Sequence, residues 1–508
     1  MKFSLNNFFQ SNVAVYSFAW GLEILTVETL GLVNKSVISL AIANIALGLF
    51  VQILGDWLQR KVGINNLPKC WQIIPLIYGI LGALLRVDIF DNWTGLTSLA
   101  LSFILIGVGR RKAKLKPILY LGILGISVSA AELLFYQIYS LPLGEKLVAY
   151  ATLGTIITYG YRLLSPWLLD YLKLTATEIK NIAHIHWAVS SFLLLSLAGY
   201  NLKSNPILGL TTAILLTRYA IMQGKNNSNL EQAEIWIYLG VLEGYAVAIY
   251  IINLLSIAEF LLSSLCTIAA IISYFIYILP WENWGWPLKP WRRVSLIIPI
   301  ITVVLTNWSL DSTPPWYWYA SILITAGFYI VISKVSQQIR LTYISLVLIN
   351  YAFVIWLNNL GASIQTLVYV TPIGLSLLYV AKVDPYLKLP QNRNVRHNLR
   401  MFGSGIICFV ALLENQWTGL LPGIISIMAI FAGLGLQTRA FLYVGTVTFI
   451  VNVFNQLIVL NSIYSFFKWI IGLIVGIAFI WIAASFETRR EQINNLLQNW
   501  IEELESWE

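Results

Sequence analysis

Residues 36–58 read SVISLAIANIALGLFVQILGDWL, and residues 71–90 read WQIIPLIYGILGALLRVDIF. The turn between these two apolar runs is short and carries Arg60, Lys61 and Lys69. About 20 apolar residues is the length that crosses a bilayer's hydrocarbon core as a helix. A pair of such runs closed by a basic turn is therefore a membrane hairpin. The pattern continues through apolar runs such as Ile118–Tyr139, Leu147–Leu164, Ser321–Ser333 and Phe466–Phe486. No segment between the runs is long enough for a globular domain. The expected fold class is all-α, a polytopic membrane protein.

Composition excludes the common alternatives. Of 508 residues, 58% are hydrophobic and 11% charged, where a soluble domain carries roughly a quarter charged residues. The 20 Trp and 26 Tyr gather at the ends of apolar runs, as amphipathic rings do at headgroup level. The net charge of +9 is scattered through short turns, so nucleic acid is not an expected partner and the lipid bilayer is. Cys70, Cys266 and Cys408 are isolated and read as small core residues. The N-terminus, MKFSLNNFFQSN, lacks the basic region and cleavage site of a signal peptide, so the first apolar segment is expected to be retained.

About 18 spans are expected. One lone helix, Val13–Val33, precedes the pairs 36–58/71–90, 93–109/117–140, 146–165/180–202, 205–223/235–256, 258–279/294–308, 316–334/341–359, 363–383/398–414 and 418–436/440–460, and Tyr464–Phe486 closes the series. Nearly all Lys and Arg fall in the turns inside pairs, while the later turns between pairs carry none. Positive-inside topology then places the within-pair turns and both termini in the cytoplasm. The implied organisation is a cytoplasmic N-terminus (1–12), a first helix (13–33), hairpins (36–460), a last helix (464–486) and a cytoplasmic amphipathic helix (487–508).

The hairpins echo one another. Trp93-Thr94-Gly95-Leu96 recurs as Trp417-Thr418-Gly419-Leu420, and Tyr120-Leu121-Gly122 recurs as Tyr238-Leu239-Gly240 and Tyr443-Val444-Gly445, with Tyr343-Ile344-Ser345 a looser copy. Matching topological positions point to a parallel hairpin repeat, which disfavours an inverted-repeat transporter. The loop Pro280–Arg293 packs four tryptophans and three prolines and reads as an anchor in the headgroup layer. In the tail, Ile493, Leu497, Trp500, Leu504 and Trp507 form one apolar stripe. The stripe is expected to dock on the chain's own basic turns or on a protein partner.

Catalytic signatures are missing: no phosphate loop, nucleophile elbow or HExxH occurs. No cofactor or metal is expected, since His184 and His186 lie two apart on a helix and point to different faces. Ionisable residues inside spans carry more information, because a mid-helix charge costs roughly 2.5–3.5 kcal/mol on insertion scales and so faces protein or water. Glu23, Glu28, Arg86, Glu132 and Glu243 are such residues, and Asn350, Asn452 and Asn455 sit at related places on later helices. Glu23, Glu132 and Glu243 with Asn350 and Asn452 are the candidate cavity or ion-site residues. An acidic interior attracts protons, metal cations or organic cations. Each side chain taken alone also has a structural reading, as a hydrogen-bonded link between helices. Gly472 and Gly476 form a GxxxG step, for which packing within the chain is expected.

The C-terminal stretch, from RAFLYVGTVTFIVN to FKWIIGLIVGIAFIWIAASFETRR, resembles the ends of uncharacterised multi-spanning proteins of cyanobacteria. It is also similar to the families of domain of unknown function 2157 and 2339. The resemblance covers about the last 80 residues and implies a bacterial cytoplasmic or thylakoid membrane, with no catalytic residue attached. Two functions are expected: a channel- or transporter-like protein with an acidic intramembrane cavity for protons, cations or a small molecule, or a scaffold using its basic face and tail. A lipid-modifying enzyme is a third reading without a supporting constellation.

Overall fold

A backbone surrounded by apolar side chains must satisfy its own polar groups, and a helix does so within one segment. Every regular element among the described residues is helical. The computed structural model describes residues 11–32, 36–62, 68–197, 206–254, 259–309, 316–360, 365–463, 466–488, 495, 498–504 and 507. The chain divides into two compact units, residues 1–256 with 281–290, and residues 257–280 with 291–508.

The first unit holds α1 (Asn12–Leu32), α2 (Val37–Val62), α3 (Cys70–Leu84), α4 (Thr94–Gly109) and α5 (Lys116–Gln137). It continues with α6 (Leu143–Leu163), α7 (Ser165–Leu172), α8 (Ala176–Leu195), α9 (Pro206–Gln223) and α10 (Leu230–Leu254). The second unit is built from α11 (Glu259–Ile278), α12 (Leu288–Ser309), α13 (Trp316–Ser336), α14 (Leu341–Asn359) and α15 (Thr366–Val383). It ends with α16 (Arg393–Glu414), α17 (Leu420–Gly435), α18 (Arg439–Ile463) and α19 (Phe467–Thr488).

Among the described residues eight helices are long and apolar enough to cross a membrane: α1, α2, α5, α10, α13, α14, α15 and α18. The expectation of about 18 spans is higher because apolar helices such as α3, α4 and α17 are shorter than 18 residues and others start inside their polar turns. Helix α16 opens with Arg393, Arg396, His397 and Arg400, and α8 contains Lys180, His184 and His186. Helix α7 was read as part of a turn; Pro166 in its first turn starts it, and Lys173 in the left-handed region (φ 54°) stops it.

Close packing in each unit is mostly between sequence neighbours: α2 on α3, α4 on α5, α6 on α8 and α9 on α10, then α13 on α14, α15 on α16 and α17 on α18. The helices of 258–279 and 294–308 share one core cluster, and both also pack on α13. Helix α11 packs on α13, through Thr267 with Ser321 (2.9 Å) and Thr325 with the Cys266 carbonyl (3.2 Å). Helix α12 meets α11 at Cys266–Thr306 (3.3 Å).

The Tyr-x-Gly signature has a steric cause. A Cβ at Gly122, Gly240 or Gly445 would lie 2.8, 2.9 or 2.8 Å from the backbone nitrogen of Ile106, Ile221 or Ile430 on the partner helix. Three residues beyond each isoleucine stands Gly109, Gly224 or Gly433, and a Cβ there would meet the second helix in return, at 2.4 Å from Leu119 N, 2.7 Å from Ile237 Cγ1 and 2.6 Å from Leu442 N. In the looser copy, Ser345 is buried and donates to the Ala326 carbonyl (2.8 Å). Among the described residues nothing lies within 4 Å of a Cβ at Gly472 or Gly476.

Basic residues of the turns also hold helices together. Arg110 and Arg111 bond Asp56 (2.9 and 2.8 Å), and Arg111 donates to the carbonyls of Trp71 (2.8 Å) and Gln52 (3.2 Å). At the start of α8, Thr175 and Glu178 form a capping box. Glu178 also accepts from Lys116 (2.8 Å) and Tyr120 (2.7 Å) on α5. These bonds, led by the Lys116 ammonium and followed by the Thr175 N–H and the Tyr120 hydroxyl, hold the Glu178 carboxyl at about 2, below its ordinary 4.5. A depressed folded-state value stabilises fully above the unfolded value and is lost as pH falls through the folded one. The melting-temperature gap between wild type and Glu178→Gln in nanodiscs is therefore expected to be full at pH 7 and to close between pH 4.5 and 2. A gap independent of pH would exclude this account.

Candidate functional site

Steps of three, four and seven place helix residues on one face. On α8 the face contains His184, Trp187 and Ser191, and on α10 it contains Trp236, Glu243 and Tyr250. Helix α9 supplies Gly209, Ala213, Leu216 and Tyr219 beside them. Together these helices surround a cavity of about 160 Å³ lined by Ser191, Glu243, Tyr250 and mainly aliphatic neighbours. Glu243 is 8% exposed, close to the middle of α10. Both of its carboxylate oxygens, the Ser191 hydroxyl and the Tyr250 hydroxyl are buried without a well-formed hydrogen bond, the Ser191 hydroxyl and the Trp187 indole standing beside the carboxylate.

Four such oxygens around one space are unusual, because buried polar groups are nearly always hydrogen-bonded. An unpaired carboxylate is the costliest of them if ionised. No basic side chain lines the cavity among the described residues. The arrangement can receive a proton or one positive charge, with two hydroxyls to share the donors.

Toward the turn between α9 and α10 the cavity ends at a layer of rings. Trp187 and Trp236 lie 4.8 Å apart between ring centres, and His184 and Trp236 4.3 Å apart. Tyr219 completes the layer, its hydroxyl 3.0 Å from His184 Nδ1, while the Trp187 indole donates to the Leu216 carbonyl (3.3 Å). Trp236 is seven residues before Glu243, about 10 Å along a helix at 1.5 Å per residue. His186 faces elsewhere, 3.1 Å from Ser127 and stacked on Tyr161. The tryptophan loop closes over the same end. Trp286 donates to the Ile221 carbonyl (3.3 Å), Lys225 sits 4.7 Å over its ring, and Asn226 N–H bonds the Gly285 carbonyl (2.8 Å).

The other sequence candidates do not join this cavity. Glu23 lines a separate space of about 460 Å³ with Trp20 and Tyr78, and Glu132 one of about 300 Å³ with Arg86. The three acids thus line three different cavities, and Glu132 has a guanidinium in its own. Glu28 is exposed. In the second unit Asn350 donates to Ser376 (2.8 Å), Asn452 to the Gly419 carbonyl (2.8 Å) and Asn455 to the Gln416 carbonyl (2.6 Å). Those bonds join helices to each other or to a turn. Gly419, in the left-handed region (φ 59°), forms the turn that Asn452 holds.

Of the tail stripe, Ile493 and Leu497 lie outside the described residues. The Trp507 carbonyl accepts from Arg439 Nε (3.2 Å) and from Arg393, Leu504 is partly buried, and Trp500 is 64% exposed. Among the described residues no group of three His, Cys, Asp or Glu is placed to hold a metal ion. Ser191, Tyr250 and the ring layer are not among the sequence candidates; of these, Trp236 and Tyr250 stand seven residues either side of Glu243, a spacing visible in the sequence. Compared with family models, curated proteins and solved structures, the chain matches none.

Proposed function

We propose that this chain is a polytopic membrane protein of transporter type, which binds a proton or small cation at Glu243 and passes it across the bilayer. The carrying observation is the set of four oxygens without a well-formed hydrogen bond, two of them from Glu243, facing one largely apolar cavity. The ring layer supports a gated path over an open pore, because it blocks one end of the cavity within about two helical turns of the acid. In this reading the remaining long helices also cross the membrane as repeated parallel hairpins, which the recurring glycine contacts support. The basic turns then face the cytoplasm of a bacterium, or the equivalent side of a thylakoid, with both termini there.

The test is reconstitution into liposomes with an internal pH dye. Wild type is expected to speed the collapse of an imposed proton or ammonium gradient over empty liposomes; rates equal to those of empty liposomes sink the proposal. Thinning the ring layer with Trp236→Ala is expected to raise uncoupled proton leak several-fold at unchanged ion selectivity, measured in the same vesicles. An unaltered leak would mean that the rings are packing only.

One observation favours the scaffold reading in addition. Trp500 and Ile501 are exposed on the tail while Trp507 is held to Arg393 and Arg439. Deleting residues 491–508 is then expected to release a bound partner from detergent extracts and leave the melting temperature of the helices unchanged. A pull-down identical to wild type would count against it.

A further inference from the structure

The Glu243 cavity carries more chemistry than a bare positive charge requires. We infer that it takes an amphiphilic monoamine, a protonated nitrogen attached to an apolar body, which reaches the cavity sideways from the hydrocarbon. This inference rests on the cation reading of the same site.

Charge comes first. Glu243 is the one carboxylate lining the cavity among the described residues, and no Lys or Arg accompanies it, so a single positive charge is matched. Ligand count comes next. A hard divalent cation takes about six to eight oxygens, while this cavity offers four that lack a well-formed hydrogen bond. An alkylammonium has three N–H donors, and one carboxylate with two hydroxyls accepts three. Tyr250 and Ser191 are therefore placed as neutral acceptors beside the charge.

The walls supply the apolar half. Leu194, Ala213, Leu216 and Val247 surround the remaining space. A volume of about 160 Å³ equals the share of about five liquid waters, far more than one dehydrated ion fills and enough for a short alkyl or phenyl body. Water has few partners along such walls. The rim gives the route: Leu195 and Ile249 line the cavity and are 44% and 39% exposed. Its mouth thus lies on an apolar helix face, and the ring layer closes the end toward the polar turns. A ligand that partitions into lipid meets this mouth directly, and a hydrated inorganic ion does not.

Because one ionised carboxylate buried alone is costly, the site holds either a proton or the ammonium. Binding one amine releases one proton from Glu243 into the medium, and amine release takes one back. The charge in the cavity is then constant through the exchange.

The experiment measures tritiated phenethylamine binding to the full chain in nanodiscs of zwitterionic lipid. Saturable binding of one amine per chain is expected, with release of one proton, and with no competition from sodium chloride at about 0.5 M, where exposed charges are screened and a buried pair is not, or from uncharged phenethyl alcohol. Glu243→Gln should weaken it at least about tenfold, a change of 1.4 kcal/mol. Gly209→Ala is a second variant that narrows the cavity without touching the charge. A Cβ at Gly209 reaches 3.5 Å from the Tyr250 hydroxyl, an ordinary contact, so the fold is kept and phenethylamine should lose more affinity than methylamine. Absence of saturable amine binding, with Glu243-dependent proton flux intact, overturns the amine class and leaves the cation reading standing. Loss of both overturns the two together.

Discussion

Replacing Glu243 by glutamine is expected to abolish cation-dependent flux in liposomes while leaving the protein as stable as wild type, or more so. The two halves of this result test different things. Glutamine keeps the shape and a carbonyl acceptor but removes the only negative charge in the cavity. Leaving a buried cation without its partner costs about 3–5 kcal/mol, on the order of a hundred- to a thousandfold in affinity. Stability should move the other way, because the carboxyl oxygens lack a well-formed bond in the folded chain and an amide spares the cost of neutralising an acid there. If Glu243 instead linked helices, the variant would lose about 1 kcal/mol and keep its flux. Flux and melting temperature, read on one preparation, separate these outcomes.

Gly109→Ala is the second large effect. Alanine is favoured over glycine in an exposed helix by about 1 kcal/mol, so a neutral site would gain. At Gly109 the new Cβ falls 2.4 Å from Leu119 N and 2.7 Å from its Cα. Those are backbone atoms of α5, which no rotamer change can withdraw, so α4 and α5 must separate. Overpacking of this kind costs about 1–3 kcal/mol, and the net result is a lower melting temperature. Gly472→Ala is the internal comparison: nothing lies within 4 Å among the described residues, and no loss is expected. Two glycine-to-alanine changes of opposite sign in one membrane helix protein would tie the recurring glycines to close backbone contact. Equal effects would show that propensity alone is being measured.

Local features of this fold were readable and long-range ones were not. Each apolar segment named from the sequence overlaps a helix, since the length of an apolar run and its polar turn act within a few residues. The Tyr-x-Gly copies were visible as letters, but their cause, a partner-helix nitrogen under 3 Å from the missing Cβ, depends on a residue 15–19 positions away. The number of spans by length and composition came out lower because hydropathy averages over the basic turns that open α8 and α16.

The site was half legible. Glu243 stood out because a charge inside an apolar run is rare. Ser191 did not, because a serine in a helix usually bonds its own carbonyls and carries no signal. The pairing of Glu132 with the Arg86 cavity, 46 residues apart in sequence, belongs to tertiary packing and has no local trace. That the three acids line different cavities has the same reason: equal positions in successive hairpins do not fix which way each hairpin is turned about its own length.

Arg111 bonds Asp56 and Gln52, which precede it by 55 and 59 residues. A ribosome adds about 5–20 residues per second, so Asp56 leaves it about 3–11 s before the side chain that fastens it. During that interval the first hairpin has its own glycine contacts and apolar faces, but Asp56 has no counter-charge from the next one. Early membrane insertion of this chain is thus provisional, and its first loop becomes fixed only once synthesis has passed residue 111. Stalling the nascent chain on either side of that position would divide a hairpin that can still slide from one that is latched.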